Sequence, residues 1–194
     1  KKMKKQLFIA LLAVSTMWGC KPEEEIIVVK GVSVSPASLS IKPGETSTLV
    51  ATVLPTNVVN KNVTWSSSDT TIAKVNNGVV TAVKPGSATI KVTTQEKGEV
   101  ATSSITVSAN DPITAKGDVS GVWKKYSTVN VTGHINVPAG ATLTIEEGVE
   151  IIMATGGVDA NKTKIEFIAH GKLYAVGTKS APVLFTIPSA ERTA

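Results

Sequence analysis

The chain has 194 residues, 42% hydrophobic but only 4% aromatic, with 15 Gly, 9 Pro, two His and a single Cys. That length accommodates one or two domains with real cores, and charged residues at 18% are too few for a disordered polyelectrolyte. One Cys excludes a disulfide scaffold and, with only two His, a Cys/His zinc module as well.

Lys1, Lys2, Lys4 and Lys5 precede an apolar run over 7–14, and small residues follow near Gly19. A basic start and a short apolar stretch read as a secretory signal over 1–19, since crossing a bilayer takes roughly 20 apolar residues. Met3 is a natural initiator. Cys20 stands directly after Gly19, where cleavage would fall. This resembles the lipobox of bacterial lipoproteins, although Met17 and Trp18 depart from the small and leucine-like residues of that motif. The resemblance implies that Cys20 is lipidated and that acyl chains make the membrane a partner. An ordinary signal with an incidental Cys is the competing reading.

Removing 1–19 takes four of the 20 basic residues and no acids, which leaves 16 against 15. The net charge is then +1 rather than +5, and no basic stripe remains for nucleic acid. Residues 20–30, with Lys21-Pro22-Glu23-Glu24-Glu25, read as an acidic tether. The run is also similar to the export signal of surface lipoproteins of the Bacteroidetes. That resemblance implies an outer-membrane lipoprotein at the cell surface, in preference to one facing the periplasm.

Residues 31–109 alternate short Val/Ile/Thr-rich strands with turns. Strands are expected over 31–35, 39–41, 47–54, 63–67, 72–75, 79–83, 88–93 and 104–108, punctuated by Pro43-Gly44, Asn77-Gly78, Pro85-Gly86 and Lys97-Gly98. Asn77-Gly78 is the strongest hairpin signal, because both residues tolerate positive φ. No helical period appears, and about eighty residues in this rhythm make a two-sheet sandwich. The order Val32-Ser-Val-Ser-Pro36, Pro43-Gly-Glu-Thr46, Ala51-Thr-Val-Leu-Pro55, Val63-Thr-Trp-Ser-Ser67, Lys84-Pro-Gly86 and Ala88-Thr-Ile90 resembles the bacterial immunoglobulin-like domain, group 2. Such domains serve as spacers and adhesive modules on bacterial surface proteins and on glycan-active enzymes. Trp65 is expected on a central strand as a core residue rather than a ligand platform. Asp69, in Ser66-Ser-Ser-Asp-Thr-Thr71, reads as a polar turn, the simpler alternative to a short O-glycosylation motif. Asn62, Asn130 and Asn161 fit the N-glycosylation pattern, which a bacterial address makes irrelevant.

After the linker 108–112, residues 110–194 keep the period of two but change their corners. Val129/Val131, Ile135/Val137, Leu143/Ile145, Val149/Ile151, Ile165/Phe167, Leu173/Ala175 and Val183/Phe185/Ile187 would face inward, and Asn130, Thr132, Asn136, Thr144, Glu150, Glu166 and Tyr174 outward. Gly133, Gly140, Gly148, Gly171 and Gly177 fall between very short strands, which suits a parallel β-solenoid better than a second sandwich. The phrases Ser120-Gly-Val-Trp123, Gly133-His-Ile-Asn-Val-Pro-Ala-Gly140, Thr142-Leu-Thr-Ile-Glu-Glu-Gly-Val-Glu-Ile151, Gly171-Lys-Leu-Tyr-Ala-Val-Gly177 and Pro182-Val-Leu-Phe-Thr186 resemble the N-terminal coils of right-handed parallel β-helix proteins of Bacteroidetes surfaces. About three coils are expected. Glu191-Arg-Thr-Ala194 does not read as a cap, so a cut-off solenoid is the expectation.

The fold class read here is therefore all-β, a sandwich followed by the start of a β-helix. The resemblance extends to pectate-lyase-like enzymes, which work from an outer sheet face with a base and a cation. Asp159 stands alone, Glu146-Glu147 beside Gly148 reads as a solvated corner, and no nucleophile elbow, phosphate loop or zinc motif occurs. No catalytic residue, metal ligand or cofactor is assigned. His134 and His170, each beside a glycine at an expected turn, read first as surface histidines. Tyr174, Glu166 and His170 are the candidate glycan contacts. The expected function is a lipid-anchored surface protein whose sandwich presents a β-helix to polysaccharide or host glycoprotein. The alternative is a polysaccharide lyase or glycoside hydrolase with its catalytic coils beyond residue 194.

Overall fold

The computed structural model describes residues 26–154 and 164–186. The signal 1–19, Cys20, the acidic run through Glu25, Asp159, Asn161, Ile187 and Glu191–Ala194 lie outside the described residues.

Nine strands build the first unit: β1 (Gly31–Ser35), β2 (Ser38–Ile41), β3 (Thr46–Thr48), β4 (Val50–Leu54), β5 (Val63–Ser67), β6 (Ala73–Asn76), β7 (Val79–Ala82), β8 (Gly86–Thr94) and β9 (Val100–Val107). One sheet runs β2-β9-β8-β5, a second β3-β7-β6, and β1 pairs with β4. Ile90, Ile105 and Val107 from the first sheet meet Ala73, Val80 and Ala82 from the second in one buried cluster, so the two sheets pack face to face. Burial alternates strictly along β8 and β9, as a strand with one face on a core must show. Val29 is only 4% exposed and joins Val53 and Val58 in a smaller cluster, so the stretch just before β1 packs on the sandwich.

Asn77 and Gly78 both take positive φ, +47° and +82°, in the β6–β7 hairpin, the twist that matches antiparallel strands. The expected single strand over 47–54 is instead divided at Leu49. β3 pairs with β7 and β4 with β1, while Leu49 drops its side chain into the core and its N–H donates to Gly78 O at 2.8 Å. Period two sees one run there, but two partners claim its halves. Trp65 packs against the core as expected, half-buried, but its strand is not central: among the described residues β5 pairs only with β8 and is an edge strand.

The linker is held on both sides. Lys42 pairs with Asp111 at 2.6 Å, and Asn110 Nδ2 donates to Lys125 O at 2.6 Å.

Beyond it, β10 (Ile113–Asp118), β11 (Gly121–Trp123), β12 (Thr128–Val137), β13 (Thr142–Ile145), β14 (Glu150–Met153), β15 (Phe167–Ala169), β16 (Lys172–Ala175) and β17 (Leu184–Thr186) are paired only in parallel. Long β12 serves two faces. Its first part carries the register Ile113, Val129, Ile151, Phe185, and its second part Gly117, Ile135, Phe167. A third face stacks Gly121, Leu143 and Leu173. Each coil thus passes through three faces and lands on the coil before it. Val129, Val131, Ile135, Val137, Leu143, Ile145, Val149 and Ile151 are fully buried inside. Trp123, Phe167 and Phe185 climb the interior edge-to-face, with 6.1 Å between successive rings. Along the last described coil, Leu173 and Phe185 keep the inward register but are 39% and 55% exposed.

The corner at Gly148 is set by both backbone and packing. Its φ is +70°, and a Cβ there would lie 2.5 Å from the Tyr126 ring. Gly140 also has positive φ, +82°, with nothing within 4 Å of such a Cβ. Gly140→Ala is expected to cost only the left-handed backbone, about 1–2 kcal/mol, and Gly148→Ala about 1–3 kcal/mol more from overpacking. Thermal unfolding of the two variants checks this; equal losses would mean that the Tyr126 ring yields freely.

Candidate functional site

Period two puts alternate side chains of the second solenoid face outside, and the parallel register then stacks them from coil to coil. Asp118 on β10, Asn136 on β12 and Ile168 on β15 occupy one such row. Asn136 Nδ2 donates to Asp118 Oδ1 at 2.6 Å, and Asn136 Oδ1 lies 3.0 Å from His170 Nδ1. A carboxylate only accepts, so it turns the amide oxygen toward the imidazole. His170 therefore carries its proton on Nδ1, and in the neutral ring the lone pair sits on Nε2. His170 itself is anchored by its backbone N–H on Val137 O at 2.9 Å, and it is exposed.

The other histidine lies on the same face. His134, within β12 rather than in a turn, accepts the Glu166 backbone N–H at Nδ1, 3.3 Å away. Glu166 and His170 thus flank β15 and share one face with His134, Asn136 and Asp118. Tyr174 does not join them: it lies on β16, in the other sheet, beside Thr144 in register, and it is half exposed. Asp118 and Asn136 are the residues that sequence reasoning did not assign to a site. Their outward phase was readable from the period, but their meeting depends on which residues the coils bring into register.

Glu146 is occupied structurally. Its Oε2 accepts the Lys125 backbone N–H at 2.8 Å across the corner. With Lys125, Thr144, Glu147, Val176 and Thr178 it lines an open groove of about 340 Å³. Glu147 also matters to Tyr126, whose hydroxyl pKa is raised by burial and then by the nearby carboxylate. Among the described residues, no group of three His, Cys, Asp or Glu side chains comes together as a metal site. The described face thus offers an oriented imidazole acceptor, amide and carboxylate groups to hydroxyl-bearing ligands, and His170 has Asn136 as its side-chain partner.

On the sandwich, Asp69 forms the expected polar turn. Its Oδ1 accepts from Thr71 N at 2.8 Å and Thr71 Oγ1 at 2.6 Å. These bonds, the hydroxyl's first, hold the Asp69 pKa below the ordinary carboxylate value.

A face-to-face sandwich joined by a pinned linker to a three-faced parallel coil defines a two-module, all-β protein. Residues 28–105 match the family model of the bacterial Ig-like domain (group 2), and residues 113–194 that of the pectate-lyase like beta helix domain. The chain carries these two domains in that order. It is similar to an alpha-L-arabinofuranosidase of Bifidobacterium longum, 44% identical over 82 residues, which are 42% of this chain and 8% of that protein. A kappa-carrageenase of Pseudoalteromonas carrageenovora is 43% identical over 75 residues, 38% of this chain and 19% of that enzyme. An Ig-like virion protein of Serratia phage KSP90 is 38% identical over 85 residues, 43% of this chain and 33% of that protein. The chain spans a third or less of the length of each of these relatives.

Asn136→Leu should release His170 from its tautomer. Imidazole ¹⁵N shifts are expected to report a proton on Nδ1 in the parent and a shift toward Nε2–H in the variant. An unchanged pattern would mean that Asn136 does not orient the ring.

Proposed function

We propose that this is a glycan-contacting protein of the bacterial outer membrane, anchored through lipidated Cys20, in which the Ig-like domain holds the β-helix outward at the cell surface. The observation that carries the reading is the hydrogen-bonded row Asp118–Asn136–His170 on an open outer face. Polysaccharides present dense hydroxyls along an extended chain, and a flat face with prepositioned acceptors can meet several at once without a deep pocket. The carbohydrate-active names of two relatives support the same ligand class. Host glycoprotein presents the same hydroxyl chemistry.

His170→Ala is expected to weaken binding of the full chain to pectin or galactan at least threefold in affinity electrophoresis, the loss of about one hydrogen bond. Unaltered retardation on every polysaccharide tried would remove this face from the function.

Cys20→Ala should move the protein from the membrane fraction to the soluble one, since removal of the acyl chains removes the anchor. Continued membrane association would overturn the anchoring.

A second reading, a glycan-degrading enzyme, is favoured by the pectate-lyase-like family match at 113–194. Release of unsaturated or reducing ends from pectin by the full chain would establish it over simple binding.

A further inference from the structure

The sandwich has an opening of its own, away from the β-helix face. β5 and β6 are the edges of two different sheets, and no ladder joins them. Between them lies a groove of about 440 Å³ lined by Trp65, Ser66, Ser67, Thr70, Lys74 and Val75. Gly78 makes room for the indole from beneath: a Cβ there would lie 3.3 Å from Trp65 Cζ2.

Trp65 Nε1 makes no hydrogen bond among the described residues. No fully buried side-chain nitrogen or oxygen among them lacks a partner, so this N–H is not sealed from solvent. Lys74 has no ion-pair partner among the described residues. Asp69, the nearest acid in sequence to the groove's residues, is engaged by Thr71 and does not line it.

We infer that this groove is a binding subsite for a sugar ring bearing an anionic substituent, a carboxylate or a sulfate. An indole is a platform for the apolar face of a pyranose, and its N–H adds one directed donor. Ser66 and Thr70 supply hydroxyls that can donate or accept, matching ring hydroxyls of either polarity. The Lys74 ammonium, without an ion-pair partner among the described residues, selects for the anion. An apolar peptide anchor would leave Lys74 and the indole N–H without partners, which argues against it. The subsite is separate from the β-helix face and extends glycan contact to the Ig-like domain.

The test follows the indole N–H signals of the full chain by NMR, with Trp65→Phe identifying the Trp65 signal. Three tetrasaccharides serve as probes: a sulfated galactan, polygalacturonate and neutral galactan. The Trp65 signal is expected to move with the sulfated probe, the uronate probe or both, and the responding probe names the substituent. Lys74→Gln should weaken that binding about tenfold, the loss of one charge-assisted hydrogen bond. A Trp65 signal that no anionic probe moves would overturn the inference, and so would equal response to neutral galactan or unchanged affinity in Lys74→Gln. Signals of His170 report the β-helix face in the same titrations, so failure there and failure here are told apart.

Discussion

Inside the solenoid, each apolar side chain is covered by the residue in register one coil away: Val129 by Ile151, Ile135 by Phe167, Leu143 by Leu173. A single coil is too thin to bury anything alone, so the stacking is the condition for every other feature of this half. The same register that closes the inside arranges the outside. Asp118, Asn136 and His170 meet because Gly117, Ile135 and Phe167 must stack beneath them. Change the register by one residue and the polar row would turn inward.

The sandwich solves burial differently, by pressing two sheets together, and so has edges where the solenoid has faces. Its edges are where chemistry remains available: Trp65 and Lys74 stand on β5 and β6, two strands that no ladder joins. The solenoid's chemistry lies instead on a continuous face. Two modes of burial thus present two kinds of surface, one a groove with an aromatic floor, the other a flat polar ladder. Between them, Lys42 on Asp111 and Asn110 on Lys125 tie the linker to the residues on either side. An exposed ion pair of this kind contributes at most about 1 kcal/mol, so the joint does not rest on Lys42 alone.

Much of the architecture was legible in the chain because it follows from local rules. Asn77-Gly78 marks its hairpin through backbone freedom, and Val129 through Ile151 mark their inward phase through period two. Leu49 and Trp65 were misread for a common reason: local alternation says which side a residue faces, not which strand lies next to it. Leu49 looked like the middle of one strand and proved to be where the chain passes between sheets. Trp65 looked central and stands on an edge.

The candidate contacts divide along the same line. Sequence by itself determined the all-β class, the two units, the alternation of inward and outward residues, and the exposed character of Glu166, His170 and Tyr174. Only the tertiary structure decided that Glu166 and His170 share a face while Tyr174 lies in the other sheet, and that Asp118 and Asn136 orient the imidazole. The physical reason is range. Side-chain phase is set within a strand by backbone geometry, whereas the pairing of Asp118 with Asn136 and of Asn136 with His170 is set by coil length and corner shape, which accumulate over whole turns of the solenoid.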